Sequence, residues 1–349
     1  MLPPLIPRSV LFGNPTRLQP RISPDGKRLA YLAPLDGVLN VWVGPLDGGE
    51  FRPVTEDRDR GIRSYRWAHD NRHLLHVQDR GGDEDWHLYA TDPVSARSRD
   101  LTPFERVQAR LVATDRHHPE TVLVGLNRRS PELHDVYRLD LPSGALELAA
   151  ENPGGIVGWM ADRELRIRGA TRSTPDAGRL IQVRDTEEGP WRVLYESALE
   201  DGRSSYPVAL TADGSSLLMV SSRDANTGRL LRLPLDGRAP QVLYEDPGYD
   251  VVGVVTDPES REPQLLTVLR ERADLVVLDP RLAEDLERVR ELHAGEVALS
   301  GRDHADRTWV VAFTTDDGPV SYFTYDRVSA TGRFLFSHRQ ELEGRPLAK

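Results

Sequence analysis

Two short charged runs in this sequence have the chemistry to hold a charged organic ligand: Asp83-Glu84-Asp85 and Asn127-Arg128-Arg129. A carboxylate accepts hydrogen bonds from an ammonium such as the free amino group of a peptide. An arginine presents a planar fork to a carbonyl or a C-terminal carboxylate. The same residues would also serve as a solvated turn or as an interdomain salt bridge. Seven further aspartates, Asp25, Asp70, Asp115, Asp162, Asp213, Asp257 and Asp306, recur at gaps of 45, 45, 47, 51, 44 and 49 residues. An Asp heading a turn bonds the backbone two residues on, so even spacing alone points to turn capping rather than to a metal or catalytic centre. His117-His118 precede Pro119 in an expected turn. His69, His73 and His76 fall in one strand region with no acidic or cysteine partner at metal spacing, so no metal or other cofactor is expected. No G-x-S-x-G string occurs, which leaves the chain without the strand-to-helix elbow that exposes a nucleophilic serine. No catalytic residue is assigned, and the chain alone is expected to be inactive.

The elements that must position these groups come from a repeat. In the first copy Ser23-Pro24-Asp25-Gly26 makes a turn, then come Leu29-Ala30-Tyr31-Leu32, Asn40-Val41-Trp42-Val43, the turn Leu46-Asp47-Gly48-Gly49 and Val54-Thr55. The third copy reads as four strands over Val107–Thr114, Thr121–Leu126, His134–Leu141 and Ala145–Ala149. Short runs rich in Val, Leu, Tyr and Trp, punctuated by Gly, Pro, Asp and Asn, are antiparallel strands joined by tight turns. A four-stranded sheet of this size cannot bury both faces alone, whereas radial repetition lets each pack on the next. The sequence therefore predicts an all-β fold, a seven-bladed β-propeller of four-stranded antiparallel blades filling 1–349 as one domain. Blades are expected near 19–55, 62–103, 107–152, 155–197, 205–247, 249–293 and 296–339, with a lead-in over 1–18 and an exit segment over 340–349. Arg281–Arg290, with Leu282, Leu286 and Val289 at helical spacing, is expected as a short insertion. The loops between second and third strands share one face, which should carry Asp83–Asp85, Asn127–Arg129, Thr171–Gly178 and Arg223–Asn226 together with Asp57–Arg60. Six dispersed tryptophans read as packing between blades.

The string S-P-D-G-K-R-L-A-Y-L followed by V-W-V-G-P-L-D-G-G resembles the propeller repeat shared by Tol-type propellers and the prolyl oligopeptidase family of serine peptidases. The run from Asp79 to Tyr89, D-R-G-G-D-E-D-W-H-L-Y, is more specific. It is similar to a segment of the acylaminoacyl-peptidase and dipeptidyl-aminopeptidase-like branch. Leu126–Arg129 with His134–Tyr137, Trp309–Phe313 with Phe334–His338, and the opening from Ile6 to Ser23 agree with it. The resemblance implies the non-catalytic propeller half of such a peptidase. Its partner would be an α/β-hydrolase domain carrying the serine machinery, and its ligands short peptides. It also ranks Glu84 first and Asp83 second as anchors for a peptide amino group, beside Arg128 and Arg129. The chain stops at about the point where family members would pass into the hydrolase. That leads to the expectation of a propeller separated from its enzyme, the other expectation being a free-standing protein-binding scaffold like the Tol-type proteins.

Composition narrows the partners. The formal net charge is -10, with 55 acidic against 45 basic residues and no basic cluster, which argues against nucleic acid and anionic membrane. There is no cysteine, so disulfides and thiolate chemistry are excluded. The start, with three prolines in seven residues and no basic lead into an apolar run, does not read as a secretion signal, and a cytoplasmic location is expected.

Overall fold

The computed structural model describes residues 5–202, 204–345 and 347. Among them, strands form seven antiparallel sheets, each built from consecutive strands in chain order, over 18–53, 65–100, 109–150, 156–197, 206–244, 250–277 and 296–337. The fold is a seven-bladed β-propeller. Six sheets have four strands and the sixth has three. Where its fourth strand would run, the chain instead forms a 3-10 turn, Pro280–Leu282, and a helix, Ala283–Arg290. The helix buries Leu286 and Val289, and its Asp285 accepts from the Tyr325 hydroxyl at 3.0 Å and from Arg327 Nε at 2.8 Å in the seventh sheet.

The chain divides into two compact units, 1–105 with 283–349, and 106–282. In the first unit, sheets one and two share a core in which Leu32, Val41 and Val54 meet Ile62, Trp67 and Leu74. The edges are tied as well, since Tyr65 Oη and Trp67 Nε1 donate to the carbonyls of Gln19 and Arg21 at 2.8 and 3.1 Å. Sheets one and seven share a second core through Leu29, Tyr31, Val310 and Phe336. In the second unit, three equivalent cores join sheets three with four, four with five, and five with six. Each of these side chains, fully buried, stabilises by roughly 1.5–3 kcal/mol, so the interfaces between sheets carry most of the cohesion. The seventh sheet is made entirely of the strands from Glu296 to Ser337, and the lead-in reaches it by backbone, with Thr16 N–H donating to the His338 carbonyl at 2.9 Å.

The turns between first and second strands explain the recurring aspartates. In every sheet the carbonyl of one residue, Ser23, Ala68, Asp115, Asp162, Thr211, Asp257 or Asp303, accepts an N–H three or four residues on. Those positions repeat at 45, 47, 47, 49, 46 and 46 residues, more evenly than the aspartates do. Aspartates occupy either this position or the one two residues later, and in six of the turns the carboxylate accepts the N–H two residues on. Bonds from the Thr211 hydroxyl and from the Ser215 N–H and hydroxyl hold Asp213 down at about 2. The seventh turn differs from expectation. Its head is Asp303, which accepts the Arg307 N–H at 2.8 Å, while Asp306 has φ +51° and accepts from Trp309 Nε1 at 2.8 Å.

Candidate functional site

In the first unit, the second strand of sheet two, Leu74–Gln78, runs from a buried start into the loop that carries the acidic run. Gly81 (φ +59°) and Gly82 (φ +86°) supply the left-handed conformations the loop needs. Asp83 is engaged in holding it, its Oδ1 accepting the N–H groups of Arg80 and Asp85, both at 3.1 Å. Glu84 is exposed at φ +62°, and its carbonyl accepts the Trp86 N–H at 3.0 Å, which returns the chain to the strand His87–Asp92. A non-glycine residue held at positive φ is uncommon. Here a pair of glycines and an aspartate cap force it, and they leave the Glu84 side chain in solvent.

Beside this loop lies a cavity of about 520 Å³ whose walls include Asp57, His76, Gln78, Asp79, Arg80 and Tyr89. Its polar groups are unevenly satisfied. Asp57 accepts from the Gly61 N–H and from Gln78 Nε2. The Asp79 side chain is fully buried, yet neither carboxylate oxygen has a hydrogen-bond partner, and the nearest cation, Arg60 Nη2, is 3.8 Å away. That is beyond hydrogen-bond reach. Gln78 Oε1 and His76 Nδ1 are likewise buried without partners. His76 stacks on Tyr89 at 5.3 Å, and burial pulls its imidazole down to about 4, only partly offset by Asp57, so it is uncharged at neutral pH.

In the second unit, Arg128 and Arg129 are not in a loop. The strand Thr121–Ser130 continues past Leu126 through an irregularity in pairing, so the hairpin turns only after Ser130, which pairs with Leu133. Arg128 is exposed. Arg129 binds Asp135 with both arms of its fork, at 3.0 and 2.9 Å, and donates to the Asn152 carbonyl at 2.7 Å. Likewise Thr171–Ser173 belong to the strand Ile167–Ser173, and only the residues after them form the turn. Asp83 and Glu84 thus share one loop, whereas Arg128 and Arg129 share the end of one strand.

Several contacts escaped the sequence. His73 does have an acidic partner, Asp70 Oδ2 at 2.5 Å, and His69 Nδ1 meets His304 Nε2 at 2.8 Å, so the three histidines of that region are split among separate environments. The strand-one turns of the second unit converge more than their spacing suggested. Arg261 in sheet six binds Asp115 in sheet three at 2.6 Å, and Glu259 lies 2.9 Å from Arg163 and 3.3 Å from His117. Asp79 lay in plain view in the sequence, but nothing there distinguishes a buried aspartate without a partner from a turn cap. Among the described residues no three His, Asp or Glu side chains are grouped to hold a metal ion.

Comparison with known proteins bears on which use this geometry serves. The chain is 40% identical, over 98% of its length, to dipeptidyl aminopeptidase BIII of Pseudoxanthomonas mexicana. A second relative, dipeptidyl peptidase family member 6 of Caenorhabditis elegans, is 24% identical over 99% of the chain. The chain spans about half the length of these curated relatives, 50% and 49%. A puromycin-hydrolysing peptidase of Mycobacterium tuberculosis superposes with a TM-score of 0.66 at 17% identity, covering 98% of this chain and 56% of that one. A prolyl endopeptidase structure superposes with a TM-score of 0.63 at 11% identity, covering 93% and 50%. At such identities these two speak for the propeller fold alone. No family model matches the chain.

Proposed function

We propose that this chain is the non-catalytic, N-terminal propeller of a prolyl oligopeptidase-family serine peptidase, gating access to a separate α/β-hydrolase domain and orienting short peptides for it. The observation that carries this reading is the 40% identity to a dipeptidyl aminopeptidase along 98% of the chain, with only 50% of that relative covered. The hydrolase would supply the serine nucleophile and the propeller would supply exclusion and a few charged anchors. Glu84 suits the anchor role because its loop is braced by Asp83 while its own carboxylate stays exposed. Arg129 suits it less, because its fork is already filled by Asp135.

The gating half of the proposal is tested by combining the chain with the hydrolase portion of the Pseudoxanthomonas relative. Cleavage of a dipeptidyl reporter is compared with cleavage of a long unfolded polypeptide. Association of the two parts and a tenfold or greater fall in cleavage of the long substrate, with the reporter spared, is the expected result. Absence of association and an unchanged substrate range would instead favour a free-standing, protein-binding scaffold.

A further inference from the structure

We propose that a second cavity in the first unit, at the seam between sheets one and seven, binds a neutral polyhydroxyl ligand, a mono- or disaccharide. The cavity measures about 510 Å³, within the usual range for small-molecule sites, roughly 300–1,000 Å³. Its walls include Gly26 and Leu46 from the turns of sheet one, and Asp303, Thr308, Thr324 and Arg333 from sheet seven. Strand pairing puts the sheet-seven groups on one face: Thr308 stands opposite Asp326, Asp326 opposite Thr331, and Thr324 opposite Arg333. Val310, directly opposite Thr324, joins Leu29 and Tyr31 of sheet one in an apolar core. Toward the turns, polar side chains take over from that packing. These turns, between first and second and between third and fourth strands, lie at the opposite end of the sheets from the loop that carries Glu84. The site therefore stands or falls separately from any pairing with a hydrolase.

Three residues of the wall are more than nine-tenths buried: Asp303, Thr308 and Thr324, at 6%, 8% and 6% exposed. Asp303 spends one oxygen on its turn, Oδ1 accepting the N–H groups of Arg307 and Thr308 at 2.8 and 3.3 Å. Among the described residues no hydrogen bond reaches its Oδ2 or the hydroxyls of Thr308 and Thr324. None of these three oxygens is sealed from water, unlike the orphan atoms of Asp79 and His76, and the open space their residues line is this cavity. Buried polar groups nearly always have partners, so an occupant completes them. Gly26 keeps the carboxylate uncovered, since a Cβ there would meet Asp303 Oδ2 at 2.7 Å.

Charges of both signs border the recess, and this selects the ligand. Arg333 donates through Nη2 to the Leu46 carbonyl, and the rest of its fork carries no bond among the described residues. Asp326 is spent on the N–H groups of Val328 and Ser329 and on Arg307, whereas Asp47 is exposed. An ammonium here would meet the arginines, and a carboxylate would meet the aspartates. A hydroxyl suits both, because it donates and accepts. It gives its proton to Asp303 Oδ2, accepts from Arg333, and does either with a threonine. Several hydroxyls on one ring satisfy these groups together. A metal ion fits less well, since among the described residues no group of three ligating side chains is assembled. The rim is already ordered, with the His304 N–H donating to the Pro24 carbonyl at 2.9 Å, so binding needs little rearrangement.

The test uses the 349-residue chain with methyl-labelled threonines, following the resonances of Thr308 and Thr324. Glucose, galactose and trehalose are titrated at pH 7.5 to about 50 mM, beside ethylammonium and acetate at matched ionic strength. Saturable shifts of both resonances with at least one saccharide, and none with either ion, are expected. Asp303→Asn keeps an amide oxygen for the two turn N–H groups but turns the cavity-facing acceptor into a donor, and should weaken binding at least tenfold. Thr324→Val removes a hydroxyl at nearly constant shape and should weaken it at least threefold. No saturable shift with any saccharide leaves water as the sole occupant and overturns the proposal. Saturable shifts with ethylammonium or acetate overturn it as well, by making the recess an ion site. Unchanged affinity in either variant has the same force. Should Asp303→Asn fail to fold, Thr324→Val decides alone, read at the Thr308 resonance.

Discussion

Asp79 in sheet two and Asp135 in sheet three are both aspartates buried to within a few per cent, at 3% and 1% exposed, yet their surroundings differ in kind. Asp135 receives two bonds from Arg129 and one from the Asn152 N–H at 2.7 Å, and the same arginine reaches the Asn152 carbonyl. Asp79 receives none. The first carboxylate ties the strand Leu133–Asp140 to the connection into sheet four and is spent on architecture. The second belongs to a residue lining a cavity next to the loop that leaves Glu84 in solvent. In a fold made of near-identical repeats, function is best sought where one copy leaves unsatisfied what another copy pairs.

The largest effect that would break this comparison is on stability. Asp135→Ala leaves the buried Asn152 N–H without its acceptor and removes two bonds from Arg129, and is expected to cost about 1–3 kcal/mol in urea unfolding. Asp79→Asn gives up only the loose 3.8 Å pairing with Arg60 and neutralises a buried charge, and should stay within about 1 kcal/mol. Equal losses would show that Asp79 is as structural as Asp135.

A second effect concerns pH. The folded state holds His76 at about 4, well under the ordinary 6.5, so between those values the unfolded chain binds the extra proton. Stability contributed by the neutral imidazole is therefore complete above about 6.5 and is lost as pH falls toward 4, by up to roughly 3 kcal/mol at 1.36 kcal/mol per pKa unit. The melting temperature of the wild type should fall more steeply from pH 7 to pH 5 than that of His76→Gln. Parallel profiles would mean the ring is not held neutral by burial. The smallest effect belongs to Glu84, whose exposed side chain can be changed to glutamine with a shift within about 0.5 kcal/mol. A larger loss would place it in the structure and not in recognition.

The architecture was legible because a propeller repeats its signal. Turn residues such as Ser23–Gly26 and Asp213-Gly214 mark the same place in different sheets, and apolar strands such as Leu230–Leu233 lie between them. The helical spacing of Leu282, Leu286 and Val289 likewise marked the segment that replaces a fourth strand. Asp306 misled because Asp303, three residues earlier, heads the turn, and sequence alone cannot choose between two aspartates so close together. Arg128 and Arg129 fall in a loop only if the strand ends at Leu126, as the sequence reading has it, whereas it runs on to Ser130. Asn127 instead caps locally, its Nδ2 donating to the Pro131 carbonyl at 2.9 Å while the strand runs on. What no spacing could reveal is which carboxylates find close partners, because Arg261 reaches Asp115 at 2.6 Å across 146 residues whereas Arg60 stops 3.8 Å short of Asp79.

The most direct test of the central claim, that this propeller orients peptides for a hydrolase, is a substrate comparison. The wild-type chain is paired with the hydrolase portion of the Pseudoxanthomonas relative, and kcat/KM is measured for one dipeptidyl reporter with a free N-terminus and for its acetylated twin. The account predicts a preference of tenfold or more for the free amine that appears only when the propeller is present and shrinks in Glu84→Gln. A preference that is the same without the propeller, or untouched by that substitution, would contradict it.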